Sequence, residues 1–220
     1  MIIAIDGPAA SGKSTAAIGV AKRLGIIYID TGAMYRAVTF GLIDNDIGFK
    51  ESSDIETFLE KIDIKFSESP TGVFITLNGR DITKEIRSRK VTNNVSEVSA
   101  MKSVRKSMVL IQRKMAEIDD CILEGRDIGT VVFPNADFKF FLIANEKTRA
   151  ERRSEDLRII GEKSSIEEVM MDLVNRDHKD STRTNSPLKK SDDAIIIDTT
   201  NLGIDEVIDK IVNIVNQKGH

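Results

Sequence analysis

Gly7-Pro8-Ala9-Ala10-Ser11-Gly12-Lys13-Ser14-Thr15 is the stretch on which the reading of the fold turns. Its spacing is G-x-x-x-x-G-K-[ST], the phosphate-binding loop that joins a buried strand to a helix. Both neighbours are in place: the apolar run Ile2–Ile5 precedes it, and an Ala-rich helical pattern over about 13–24 follows. Gly7 and Gly12 let the backbone curl so that its N–H groups converge, and the helix N-terminus adds partial positive charge behind them. Lys13 offers a point charge to β- and γ-phosphate oxygens, and the Ser14 hydroxyl is a hard oxygen that suits Mg²⁺. The plain alternative is a chance glycine turn, of which only about 0.01 would be expected in a chain of this length and composition. All nine residues, Gly7 through Thr15, are therefore candidate contacts to a nucleoside triphosphate.

Outward from this loop the chain alternates short apolar runs with longer helical patterns. Ile2–Ile5, Ile26–Ile29, Cys121–Leu123, Phe138–Ile143 and Ala194–Ile197 read as strands, and the lack of polar alternation predicts burial on both faces. Helical patterns cover about 13–24, 33–43, 101–118, 146–160, 165–179 and 204–217. Ser164 or Ser165, with Glu167 or Glu168 three residues on, predicts a capping box at the start of the fifth. This alternation predicts a doubly wound α/β core. One stretch breaks it. Lys65–Ser67 and Val73–Leu77 are strand-like about Pro70-Thr71-Gly72, and Asn78-Gly79 marks a tight turn toward Arg80–Thr83. Antiparallel hairpins do not belong inside a parallel sheet, so 62–85 reads as the sheet of a small insert. Ser181–Asp193 reads as a polar loop.

Composition narrows the function. The chain has 220 residues, 40% of them hydrophobic and 30% charged, which fits a folded domain rather than a disordered one. A net charge of -3 leaves no global basic field for nucleic acid or an anionic membrane. No run approaches the roughly 18 apolar residues of a membrane span, and Met1–Pro8 is not a signal segment. The single cysteine, Cys121, cannot form an intrachain disulfide and suits a reducing cytoplasm. At the start of a central strand it is expected to be buried and structural.

Three further patterns carry chemistry. Asp30-Thr31-Gly32-Ala33-Met34-Tyr35-Arg36 follows the second strand, at the carboxyl edge where open α/β sheets bind ligands. Arg36 there suits an acceptor phosphate, although a simple capped helix start explains the same residues equally well. Glu124-Gly125-Arg126-Asp127-Ile128-Gly129-Thr130 follows another strand, with a structural salt bridge as its plainer reading. Arg149, Arg152, Arg153 and Arg158 cluster in one helix, with Arg149 and Arg153 sharing a face at i, i+4, and they are followed by Arg176, Asp177, Asp180 and Arg183, of which Arg176, Asp180 and Arg183 are stacked at i, i+4, i+7. Arginines neutralise charge that spreads over a transferring phosphoryl group, whereas a solvated charged face is the commoner origin of a charge run. No guanine-reading N/T-K-x-D motif is present, so a small kinase is favoured over a GTPase.

IDGPAASGKST, DTGAMYRA, EIRSRKVTNNVSEVSA, EGRDIGTVVFPNADFKFFLIA, NRDHKDSTR and IIIDTTNL together resemble the bacterial cytidylate (CMP) kinases over essentially the whole chain. The resemblance implies the P-loop nucleoside monophosphate kinase fold: a five-stranded parallel sheet flanked by helices, a small antiparallel β insert and a helical lid. It implies one domain over 1–220, with core at about 1–45 and 90–220, an acceptor-side insert at about 46–89 and a lid at about 146–163. The implied reaction moves the ATP γ-phosphoryl group to CMP or dCMP with Mg²⁺ as cofactor. Carried over by motif, Ser96, Arg105 and Asp127 read the cytosine and Asp180 holds the sugar hydroxyls. Arg36, Arg126 and Arg183 surround the acceptor phosphate, Thr31 and Tyr35 line that site, and Arg176 belongs to the same charged network. Lys13, Arg126, Arg149, Arg153 and Arg183 are the implied catalytic set, with Arg149 and Arg153 closing over the donor phosphates and Ser14 on Mg²⁺. The implied partners are small nucleotides only, for a monomeric cytoplasmic enzyme. Two other readings stay open: a small P-loop kinase for another nucleotide or a metabolite such as shikimate, and a nucleotide-binding module without transfer activity.

Overall fold

The strands are β1 (Ile2–Asp6), β2 (Ile27–Asp30), β3 (Ile64–Ser69), β4 (Gly72–Leu77), β5 (Arg80–Asp81), β6 (Cys121–Gly125), β7 (Phe138–Ile143) and β8 (Ile195–Asp198). The helices are α1 (Lys13–Leu24), α2 (Thr31–Asp44), α3 (Ser53–Lys61), α4 (Arg89–Ala100), α5 (Lys102–Ala116), α6 (Glu146–Ile159), α7 (Ile166–Thr182) and α8 (Ile204–Lys218). The structure is a computed structural model and describes residues 1–69, 72–159, 161–162 and 164–218. The five apolar runs form one parallel sheet in the order β2-β6-β1-β7-β8. None of the described helices is long and apolar enough to cross a membrane.

The chain divides into two compact units, Met1–Tyr28 with Ile118–His220, and Ile29–Glu117. In the first, β1 lies at the centre, with Ile2 to Asp6 in register with Cys121 to Gly125 on one side. Ile3, Ile5, Ile122, Phe140, Leu142 and Ile197 from the strands pack with Val20 of α1 and Ile211 of α8 into the main core. Cys121 is buried, which pushes its thiol up to about 11 and makes it a packing residue, as expected. The strands β2 and β8 lie at the sheet edges, and both carry exposed residues, Ile27 and Ile196 among them. The expectation of burial on both faces therefore holds for the centre of the sheet and fails at its margins. A second, smaller apolar cluster joins α6 and α7 to the phosphate loop through Ala9, Ala150, Val169 and Leu173.

The second unit contains the antiparallel sheet β3-β4-β5. Its β4–β5 turn is the one foreseen: Asn78 and Gly79 both take left-handed φ values, 52° and 80°. Of the other expected turn, Gly72 begins β4, and Pro70 and Thr71 lie outside the described residues. Two helices here were not expected. In α3 only Ile55 and Leu59 are buried, too few to register as a stripe, and Ser52 caps it. In α4 the buried Val91, Val95 and Val98 do keep helical spacing, but Thr, Asn and Val are weak helix formers. The capping box is real, with Ser165 and Glu168 as its members. The helix it opens runs to Thr182, so the loop expected from Ser181 begins at Arg183 instead. The Ser181 and Thr182 hydroxyls donate back to helix carbonyls and prolong that last turn.

Candidate active site

β1 delivers the chain to the phosphate loop at Gly7, whose φ is +150°. A Cβ there would stand 2.1 Å from the Leu142 carbonyl oxygen, so only glycine passes this point. Gly12, at φ +87°, turns the chain into α1. Lys13 follows at once and is 4% exposed. Its ammonium donates to the Pro8 carbonyl at 2.6 Å and to Ser11 Oγ at 3.4 Å. Burial, reinforced by the like charge of Arg126, pushes its pKa down to about 7, against the opposing pull of Glu124. The Ser14 hydroxyl donates to Glu124 Oε1 at 2.6 Å, and the Tyr28 hydroxyl lies 3.5 Å from the same oxygen. Adjacent hydroxyl and carboxylate oxygens suit a hard cation. Among the described residues no group of three or more His, Cys, Asp or Glu could hold a metal alone. Ser14 and Glu124 would thus share Mg²⁺ with phosphate oxygens and water.

β6 ends at Gly125 and is followed by Arg126, Asp127 and one π-helical turn, Ile128–Val132. Arg126 Nε donates to Asp180 Oδ2 at 3.0 Å. Arg183 reaches Asp127 at 3.8 Å and Asp180 at 3.9 Å, with all three side chains buried. Arg183 is the cap residue past the end of α7, so the expected helical stack of Arg176, Asp180 and Arg183 is broken at its last member. Its Nε is held by the Ser186 carbonyl at 2.7 Å. Asp6, the last residue of β1, accepts from the N–H groups of Ile128 at 2.8 Å and Gly129 at 2.7 Å. It thereby ties this turn to the strand that carries the phosphate loop. Burial raises the Asp6 pKa to about 7, although both N–H groups favour its charged form.

α6 and α7 complete this unit. Arg149 is 6% exposed and donates to the Ala9 carbonyl at 3.1 Å and to Asp177. Asp177 in turn accepts from the Ala9 N–H at 2.9 Å. Arg152 donates to the Thr199 hydroxyl and carbonyl at 2.9 and 2.7 Å, and that hydroxyl lies 3.1 Å from the Ser11 carbonyl. Arg153 is half-buried further along α6. The pair expected to share one helix face is thus unequal, with Arg149 committed to the loop backbone. Arg176, beside Asp177, is half-buried.

In the second unit, Asp30 caps α2 by accepting from the Ala33 N–H at 2.7 Å, and its other oxygen receives Arg36 at 3.1 Å. The capped helix start is thus present, and its capping carboxylate also fixes Arg36. Thr31 and Tyr35 are buried on the same helix. Arg105 of α5 is buried, with its guanidinium carbon 5.2 Å from the centre of the Tyr35 ring and Nη1 donating to the Ser99 carbonyl at 3.2 Å. Ser96 is half-buried on α4.

The first unit can therefore hold a polyphosphate on a curled loop, with a lysine, several fixed arginines and a paired hydroxyl and carboxylate beside it. The sequence reading assigned no role to Asp6, Glu124 or Thr199, and Arg152 and Asp177 entered it only as members of the charged clusters. Glu124 and Asp6 each lie at a strand's carboxyl end, and that position was an available signal. The Asp177 and Thr199 contacts bridge residues distant in sequence, and spacing carries no trace of them.

A family model described as cytidylate kinase matches residues 3–217. A cytidylate kinase of Lactobacillus johnsonii is 47% identical over 99% of this chain and 95% of its own. One from Carboxydothermus hydrogenoformans is 46% identical over 99% and 98%. Among solved structures, an uncharacterised protein from Eubacterium ventriosum has a TM-score of 0.54 at 13% identity and covers 98% of each chain. That likeness concerns the fold alone.

Proposed function

The chain belongs to the cytidylate kinase family, and from that premise we propose that it transfers the γ-phosphoryl group of ATP to CMP or dCMP, giving ADP and CDP or dCDP. The arrangement that supports this reading best is the network of Arg126, half-buried, with buried Asp180, Arg183 and Asp127 side chains, beside a complete phosphate loop. A bare nucleotide-binding module has no use for such a set, whereas phosphoryl transfer needs fixed cations around the moving charge.

In this mechanism the loop N–H groups and Lys13 hold the donor phosphates. Mg²⁺, held by Ser14 and Glu124, would neutralise phosphate charge when bound. Arg36, Arg126 and Arg183 orient the acceptor phosphate, with Thr31, Tyr35 and Arg176 supporting them, and Asp180 takes the sugar hydroxyls. An oxygen of the CMP phosphate attacks the γ-phosphorus in line while the bond to the ADP oxygen breaks. A phosphate monoester dianion is already nucleophilic at neutral pH, so no strong base is needed. Arg153 stands on α6 for the transferring group, and the helical segment near 146–163 and the insert near 62–85 close to exclude water, which would otherwise take the phosphoryl group.

Ser96, Arg105 and Asp127 read the base. Cytosine presents a donor at C4 and an acceptor at N3, and uracil reverses both. A uracil O4 would face the Asp127 carboxylate, acceptor against acceptor. The test is an ADP-release assay with CMP, dCMP, UMP, AMP and shikimate as acceptors. Turnover is expected with CMP and dCMP, and turnover only with another acceptor would reject the reading. In Asp127→Ala, kcat/KM for CMP should fall by about ten- to 150-fold, the worth of a hydrogen bond to a charged group. UMP should lose much less, so the CMP-to-UMP ratio narrows. An unchanged ratio would reduce Asp127 to a brace for the turn.

A further inference from the structure

The phosphate loop contains a residue that is strained on its own. Ala10 has φ +58°, in the left-handed region that non-glycine residues avoid. Such a conformation persists only where its surroundings determine it. The preceding residue, through the peptide groups on either side of it, shows what does so. The Ala9 N–H donates to Asp177 Oδ1 at 2.9 Å, and the Ala9 carbonyl accepts from Arg149 Nη1 at 3.1 Å. Arg149 and Asp177 are themselves an ion pair, so one closed ring of charged groups grips the loop from both sides. Around it, Ala9 is buried with Ala150, Val169 and Leu173, and Ala10 packs at the margin of the same cluster.

We infer that Asp177 is a positioning residue for the donor loop, acting with Arg149 on the two peptide groups that flank Ala9 to set where the phosphate-facing N–H groups stand. Arg149 serves the donor through this backbone contact rather than by reaching over the phosphates. One turn along α7, Asp180 holds Arg126 at 3.0 Å. The spacing of Asp177 and Asp180 by three residues places both on one face of α7. A single rigid helix therefore spaces the donor loop from an arginine assigned to the acceptor. A loop fixed beforehand meets the phosphates without reorganisation, which is where donor amides gain their strength.

The consequence for catalysis rests on the kinase reading, but the contact is tested without any acceptor. Asp177→Asn keeps the shape of the side chain and weakens its hold on Arg149. Affinities for a non-hydrolysable ATP analogue and for CMP are measured separately by titration calorimetry, alongside Tm and hydrogen exchange at the Ala9 amide. Expected are roughly tenfold weaker analogue binding, CMP affinity within about twofold of the parent, and faster exchange at Ala9. Arg149→Ala should act likewise, and the double variant should lose no more than the worse single one, because both remove the same ring. Unchanged analogue affinity, or unchanged exchange at Ala9, overturns the inference. So does a parallel loss of both affinities with Tm, which marks a structural role only. Failure of the parent protein to phosphorylate CMP would instead remove the proposed function and leave the loop contact standing.

Discussion

Lys13 shows how one buried residue couples charge to ligand. Burial, with Arg126 and Arg176 adding like charge, holds its ammonium down to about 7, well below an ordinary lysine. Phosphate oxygens arriving beside it stabilise the charged form and raise its pKa again. At pH 8 the free protein then carries a largely neutral Lys13, and nucleotide binding takes up a proton, approaching one per site. Titration of ADP at pH 8 in two buffers of different ionisation enthalpy measures this directly. The parent's binding heat should depend on the buffer, and that of Lys13→Met should depend on it far less. Equal buffer dependence in both would place the proton elsewhere. The same lysine faces developing charge in the proposed transfer, so Lys13→Ala should lower kcat by about 100-fold or more in a protein that still folds. A change confined to KM would contradict that role.

At the scale of elements, α6 is two parts in one helix. Its first half is fastened, Arg149 to the phosphate loop and Arg152 to Thr199. Its second half carries exposed charged residues, and among the described residues Arg158 pairs with its neighbour Glu155 three residues back. A closing lid is therefore expected to move from about residue 153 onward, a shorter segment than the 146–163 expected from sequence. Hydrogen exchange with an ATP analogue and CMP together should slow in 153–159 and in β3–β4, while 146–152 stays protected throughout. Equal change along the whole helix would return the hinge to its start, and no change in either segment would remove the closure account. The location of α6 was readable from its pattern, but its division was not, because the contacts that fasten it come from residues 9, 177 and 199.

For the whole molecule, Asp6 links stability to pH. It lies at 4% exposure between the turn amides it accepts from and the charges of Asp127 and Lys13. The stem of Lys139 packs beside it against Gly129. Burial raises its pKa to about 7, against about 3.9 in an unfolded chain. Between those values the native state retains a proton that the unfolded chain has released. Stability from this group is thus full below about pH 4 and is lost as pH rises toward about 7. Lys13 acts in a separate window. Its pKa is lowered from 10.5 to about 7, so it is charged in both states below about pH 6 and affects the slope only above. Urea midpoints at pH 5 and pH 6 consequently report Asp6 apart from Lys13. The parent's midpoint should fall across that interval more than that of Asp6→Asn, whose amide cannot ionise. Identical slopes would show that the two backbone N–H groups outweigh burial and keep Asp6 an ordinary carboxylate.

By itself the sequence determined whatever depends on neighbours along the chain. Gly7, Gly12, Lys13 and Ser14 announce a phosphate loop because backbone curl and helix start are local events. The five apolar runs announce a buried parallel sheet because a two-sided core needs unbroken hydrophobicity, and Asn78-Gly79 announces its turn through its own φ preferences. The weak patterns of α3 and α4 escaped, since two or three buried side chains and poor helix formers leave little periodic signal. Tertiary structure decided what the charged residues do. Arg149 and Arg153 look equivalent as text, four residues apart on one helix, yet only Arg149 is drawn into the ring around Ala9. Asp177 and Asp6 look like ordinary acidic residues until folding brings a distant backbone N–H against each carboxylate. A hydrogen bond extends about 3 Å and ignores sequence distance, so the partners of a buried charge are set by packing, and packing is the part that spacing does not encode.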